Sequence, residues 1–293
     1  MKLDYLILDV FTRRGLQGNP LAVVKDADSL LDDQMQRIAN EFHLSETVFI
    51  TRPKTERHTA AVRIFTPVQE LPFAGHPTVG VAVALGLELK TSAVRIEEQV
   101  GVITCVIERI GRRTGHARFA LPHLPLVGGK APDAMRIALA LGLEPEDIGC
   151  GALKPSVHTA GVVYYLVPVR NAAVLARIKP QHTGWTAIFP LPTHSVYAYT
   201  ATPEEDGNDY AARMFNPVHG EDPATGSAAA ALIGPLSEDA GDGTTELVIR
   251  QGFEMKRPSL IEVQIRKSGD QLTHGGIGGD AVIVGQGTLD LED

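Results

Sequence analysis

The chain contains one strand-loop-helix device twice. Arg63-Ile64-Phe65-Thr66-Pro67-Val68 and Arg213-Met214-Phe215-Asn216-Pro217-Val218 begin 150 positions apart (213 − 63). After the first come Leu71-Pro72-Phe73-Ala74-Gly75-His76-Pro77-Thr78, and after the second Glu221-Asp222-Pro223-Ala224-Thr225-Gly226-Ser227-Ala228, in register after a one-residue slip. A repeat at this spacing predicts two related halves, with whatever the loops bind held between them. The length of 293 residues exceeds that of a usual single core and points the same way.

Short apolar runs with β-branched alternation predict strands at 5–11, 21–24, 48–50, 60–65, 94–98, 102–108, 116–121, 161–169, 195–200, 246–250, 260–265 and 281–285. Helices are expected at 31–42, where Leu31, Met35, Ile38 and Phe42 recur with helical period, and at 133–141, 78–87 and 228–233. The last two are apolar almost all round, which leaves no face for water. Each must be buried on every side. The expectation is an α+β fold of two similar domains, each a curved, mostly antiparallel sheet wrapped around a central helix. Three prolines and two glycines in 122–132 mark the linker. The domains are placed at 1–122, with 278–293 a candidate to join it, and at 123–277. Gly275-Gly276-Ile277-Gly278-Gly279-Asp280 lacks a following helix and is expected to be a turn or flexible connection, not a nucleotide loop.

A net charge of −8 without clustered Lys and Arg argues against a nucleic-acid partner. There is no run of ~20 apolar residues for a membrane span and no leader pattern at the start, so a cytoplasmic protein is expected. Cys105 and Cys150 lie outside any CxxC spacing, and no metal-ligand pattern, HExxH or phosphate-loop motif occurs. No metal and no cofactor are expected.

The loops carry the chemistry. A helix amino terminus presents unpaired N–H groups and partial positive charge, and so holds a carboxylate without a cationic side chain. Gly75-His76 and Gly226-Ser227 supply such starts in both halves, against the alternative that they are only tight turns. His76 is a proton-handling or orienting candidate. Asp222, in the opposing loop, is either a helix cap or the group that fixes the His76 tautomer. Glu46, in Leu44-Ser45-Glu46-Thr47-Val48-Phe49, is either an ordinary surface glutamate or, if buried, a group able to exchange protons near neutrality.

Gly18-Asn19-Pro20-Leu21-Ala22-Val23-Val24, Leu44-Ser45-Glu46-Thr47-Val48-Phe49, Arg63-Ile64-Phe65-Thr66-Pro67, Phe73-Ala74-Gly75-His76-Pro77-Thr78 and Asp222-Pro223-Ala224-Thr225-Gly226-Ser227 occur in this order. With them the chain closely resembles the PhzF family of phenazine-biosynthesis isomerase-like proteins over almost its whole length. The resemblance implies a diaminopimelate epimerase-like fold with the active site between the domains. It also implies a cofactor-independent isomerase, and a homodimer, acting on a small carboxylate like trans-2,3-dihydro-3-hydroxyanthranilate. Glu46 matches the proton-shuttling glutamate. His76 and Asp222 match assisting residues, while Ser45, Gly75, Gly226 and Ser227 match the substrate-binding surroundings. Related racemases use a cysteine in each loop, where Ala74 and Ala224 stand here, so two-base thiol chemistry is unavailable. The competing expectations are an epimerase without catalytic thiols and a non-catalytic ligand-binding module.

Overall fold

The structure is a computed structural model that describes residues 1–205, 208–218 and 220–291. The chain divides into two compact units, Met1–Pro122 with the segment from Ile277 onward, and His123–Gly276. The first unit contains β1 (Lys2–Val10), β2 (Asn19–Val24), α1 (Asp32–Phe42), β3 (Glu46–Thr51), β4 (Ala60–Phe65), β5 (Glu70–Leu71), α2 (Gly75–Leu89), β6 (Ala93–Glu98), β7 (Gly101–Arg109) and β8 (Thr114–Ala120). The second contains β9 (Leu126–Gly129), α3 (Ala134–Leu141), β10 (Ser156–Thr159), β11 (Val163–Pro168), α4 (Ala172–Ala176), α5 (Trp185–Ile188), β12 (Val196–Glu205), β13 (Asn208–Asn216), β14 (Gly220–Asp222), α6 (Gly226–Asp239), β15 (Gly243–Gln251) and β16 (Ser259–Ser268).

Pairing follows one plan in both units. In the first, β2–β3 and β4–β6 are parallel while β1–β2, β3–β4, β6–β7 and β7–β8 are antiparallel. In the second, β11–β12 and β13–β15 are parallel while β10–β11, β12–β13 and β15–β16 are antiparallel. The repeated arginines occupy matching places, since Arg63 faces Phe49 on β3 and Arg213 faces Ala198 on β12.

The apolar helices are buried as their composition requires. Residues 75–86 of α2 are all buried, and the helix packs on β1, β2, β3, β6, β7 and β8. Val79, Val81, Val83 and Leu85 each contribute roughly 1.5–3 kcal/mol by leaving water. Packing is close enough that a Cβ on Gly80 would lie 2.5 Å from Leu21 Cδ2. Helix α6 is buried over 226–233 and packs on β9, β10, β11 and β16.

Two expectations need correction. Gly275–Asp280 is no turn: it lies inside β17 (Gln271–Asp290), with residues 275–279 buried. Glycine has no side chain to display alternation, so the strand was silent in the sequence. Its carboxyl-terminal part pairs with β1, Lys2 opposite Asp290 and Val10 opposite Ala281, and β17 also pairs with β8. The proline- and glycine-rich stretch 122–132 is not all linker either, because Leu126–Gly129 forms β9 against β10. No described helix is long and apolar enough to cross a membrane.

Candidate active site

In the first unit the parallel pairing of β2 with β3 sets Leu21 opposite Glu46. That register brings Asn19, at the start of β2, and Glu46, at the start of β3, to one end of the sheet, where α2 begins. Glu46 Oε2 lies 3.3 Å from His76 Nε2, and the two side chains are 17% and 5% exposed. Burial alone pushes the His76 imidazolium down to about 3, so protonating this ring near neutrality costs on the order of 5 kcal/mol. The contact is therefore not an ion pair. It also lies off hydrogen-bond alignment, which leaves Nε2 without a bonded partner. The Asn19 side-chain amide donates to His76 Nδ1 at 3.5 Å, which selects the tautomer with its proton on Nε2, beside Glu46. A neutral N–H donor and a carboxylate thus stand side by side. Ser45, half-buried, immediately precedes Glu46.

The second unit holds Asp222 and Ser227 on either side of one turn. Asp222 ends β14, and its Oδ2 accepts from Thr225 Oγ1 at 2.5 Å. Thr225 Oγ1 accepts in turn from Gln251 Nε2 at 3.0 Å, while the same amide nitrogen reaches the Asp222 carbonyl at 2.8 Å. Gln251 Oε1 takes the Thr225 N–H and the Tyr197 hydroxyl, each at 3.1 Å. Every hydrogen-bonding position of this buried amide is filled. Ser227 is buried and shares a 2.8 Å hydrogen bond with the Tyr164 hydroxyl.

Both device helices begin without a side-chain cap, at Ala74 for α2 and Thr225 for α6. By contrast, Asp133 caps α3 and Asn171 caps α4 through their own side chains. Gly75 and Gly226 are buried first helical residues outside the positive-φ set. A left-handed turn conformation therefore does not explain these glycines.

Glu46 and His76 come together in the first unit; Asp222 and Ser227 belong to the second. Sequence reasoning missed Asn19, Tyr164, Thr225 and Gln251 as supporting residues. It also missed Glu98, which is buried at the end of β6 and whose carboxyl burial pushes up to about 8. A cavity of about 200 Å³ in the second unit is lined by Pro180, His182, Trp185 and Phe215 among others and includes none of the predicted site residues. Cys105 is buried within β7 and Cys150 lies in a loop, so neither thiol stands at a device helix start. Among the described residues no cluster of His, Cys, Asp and Glu is arranged to hold a metal.

Two like units with apolar helices define an epimerase-like architecture. A hydroxyproline epimerase from Agrobacterium vitis shares the fold at a TM-score of 0.65 and 14% identity, over 100% of this chain and 93% of that one. Within that class, residues 8–287 match the profile of the PhzC-PhzF family, described as phenazine biosynthesis-like protein, and the chain belongs to that family. It is 41% identical to an uncharacterized isomerase of Mesorhizobium japonicum over 98% of each chain. It is 34% identical to the trans-2,3-dihydro-3-hydroxyanthranilate isomerase of Pseudomonas chlororaphis, over 98% of this chain and 99% of that one. A phenazine biosynthesis protein of the PhzF family from Bacillus anthracis superposes with a TM-score of 0.88 at 26% identity, over 99% of this chain and 100% of that one. By these relationships the chain is an isomerase.

Proposed function

We propose that the protein moves a proton between two carbons of a small unsaturated or cyclic carboxylate of the trans-2,3-dihydro-3-hydroxyanthranilate type, with Glu46 as the single general acid/base. The observation that carries this reading is an asymmetry in the duplication. Thr47 faces Phe65, and Val196 faces the repeated Phe215. Ser195 in the second unit therefore stands where Glu46 stands in the first. Ser195 is also engaged, accepting from Asn216 Nδ2 at 2.9 Å and donating to the Thr193 carbonyl at 3.1 Å. At this place one half has a carboxylate and the other a hydroxyl, which suits one carboxylate that removes a proton and returns it.

In this reading each half is an epimerase-like domain with its sheet around its central helix, and the start of that helix is its anion-binding element. The uncapped N–H groups at Gly75, with Ser45 just before Glu46 in the chain, suit the substrate carboxylate, and Gly226 with Ser227 is the matching substrate-binding element of the second unit. Glu46 takes the proton from one carbon, the electron pair shifts along the unsaturated system, and the Glu46 carboxylic acid delivers the proton to the second carbon. No oxidant, reductant or net proton is consumed. His76, neutral, donates from Nε2 to orient the carboxylate or the substrate, and Asp222, held by the Thr225 hydroxyl, accepts from the substrate's polar group. A cytoplasmic homodimer completes the proposal, and sedimentation measures its assembly.

Incubation with trans-2,3-dihydro-3-hydroxyanthranilate in deuterated water tests the assignment, with wild type and Glu46→Gln compared by mass spectrometry and NMR. The expected result is isomerisation by wild type and a loss of about 10²–10⁴-fold in the variant. Equal turnover by both would remove Glu46 from the mechanism. Inversion at one carbon without double-bond migration would point to an epimerase, and saturable binding without turnover to a recognition module.

A further inference from the structure

Glu98 takes no part in the chemistry above, yet it lies against the first turn of α2. Its Oε1 is 2.7 Å from Thr78 Oγ1, and the same hydroxyl is 2.8 Å from the Ala74 carbonyl oxygen. A threonine hydroxyl has one hydrogen, and a carbonyl oxygen can only accept. Both contacts can be hydrogen bonds only if Thr78 donates to Ala74 and Glu98 itself carries a hydrogen for Thr78. The remaining oxygen, Oε2, is buried without a hydrogen-bond partner. Half a negative charge there would be costly, whereas the carbonyl oxygen of a neutral acid is far less so.

The duplication supplies an independent reason. Ala60 faces Ile96 and Ala61 faces Glu97 across β4 and β6. In the second unit Tyr210 faces Ile249, Ala211 faces Arg250 and Ala212 faces Gln251 across β13 and β15. With Ala60 matched to Tyr210 through the repeated arginines, Glu98 and Gln251 occupy the same place. Gln251 donates to a threonine hydroxyl, Thr225 at the cap of α6, which donates onward to the Asp222 carboxylate at the end of β14. A protonated glutamic acid has the same shape and the same pairing of one donor end with one acceptor end. We infer that Glu98 is a neutral carboxylic acid in the folded protein and acts as the first unit's counterpart of Gln251, a positioning residue that donates its proton to Thr78 and so holds the turn carrying Gly75 and His76.

The raised carboxyl of Glu98 agrees with this arrangement. Cys105 on β7, whose thiol burial pushes upward, stays uncharged and adds no charge beside Glu98. A neutral Glu98 also leaves the positive end of α2 free for an external anion, which an internal carboxylate would oppose.

Infrared difference spectra of wild type against Glu98→Gln at neutral pH test the protonation state. The expected signal is the C=O band of a protonated carboxylic acid, present in wild type, absent from the variant and sensitive to deuterated water. Thr78→Val, which removes the acceptor, should move this band without abolishing it. If Glu98→Gln does not fold, the same band is followed in wild type on raising the pH and should vanish while the far-ultraviolet circular dichroism stays constant. A wild-type spectrum with no protonated-acid band at neutral pH would overturn the inference. Nitrogen-15 NMR of labelled histidine tests positioning: His76 ring resonances should be retained in Glu98→Gln and displaced in Glu98→Ala. Unchanged resonances in Glu98→Ala would contradict the positioning role.

Discussion

The two units repeat a scaffold and differ in what they do with it. In each, the repeated arginine grips a glutamate with two parallel bonds, Arg63 to Glu70 at 2.7 Å twice and Arg213 to Glu221 at 2.8 Å twice. Each guanidinium also lies over the phenylalanine two residues on, at 5.1 and 4.8 Å. Around that constant core the chemistry diverges: Glu46 against Ser195, His76 against Ser227, Glu98 against Gln251. At these places the first unit has titratable groups, and the second has hydroxyl and amide groups. Duplication preserved the frame of strand pairing, while the side chains at these matched places differ.

The largest expected effect breaks the symmetry directly. Glu46→Gln should lose turnover by about 10²–10⁴-fold, while Ser195→Ala should stay within roughly tenfold, because a serine in that place carries no proton for the reaction. Steady-state kinetics with the same substrate compares the two, and equal losses would erase the proposed division of labour.

Next comes the arginine pair. The Arg213 side chain is 8% exposed, against 28% for Arg63. Arg213 Nη1 also donates to the carbonyls of Leu175, Ala176 and Ile178 at 3.0–3.2 Å, whereas Arg63 reaches the exposed Asp32. Arg213→Ala should therefore destabilise by about 3–5 kcal/mol and Arg63→Ala by about 1 kcal/mol in chemical unfolding. Similar values would mean that the outer contacts of Arg213 contribute little.

The pH dependence of stability separates Glu98 from Gln251. The folded carboxyl of Glu98 stands at about 8, above the ~4.3 of an unfolded glutamate. Its contribution is thus full below the unfolded value and is lost as pH rises toward 8. Glu98→Gln should flatten that part of the stability curve by a few kcal/mol, while a Gln251→Leu variant should keep the slope. The smallest effect concerns capping: Asp133→Ala should cost about 1 kcal/mol, since Asp133 accepts from the Arg136 N–H at 2.9 Å. Substituting Ala74 or Thr225, which make no side-chain cap, removes no bond of that kind.

Much of this frame was legible in the sequence because alternation and all-round apolarity are local signals. Strands β3 and β4 and the burial of α2 and α6 follow from such patterns, and the proposal of Glu46, His76, Asp222 and Ser227 rests on long motifs. The roles of Asn19, Gln251 and Glu98 were not legible, since their partners His76, Thr225 and Thr78 lie 57, 26 and 20 positions away and meet them only in the folded chain. Glu98 follows Val94 and Ile96 on the inward face of β6, where it is 8% exposed. Gly275–Asp280 was misread for the opposite reason: its glycines imitate a loop while serving a buried strand.

One base or two is the question on which the account turns, and a single-turnover experiment addresses it. Substrate deuterated at the carbon that gives up its proton is converted in ordinary water, and the product is examined by NMR. A single carboxylate predicts that a measurable fraction of product carries the deuterium at the receiving carbon. Product that holds only solvent hydrogen there, in every turnover including the fastest, would contradict a proton returned by the group that removed it.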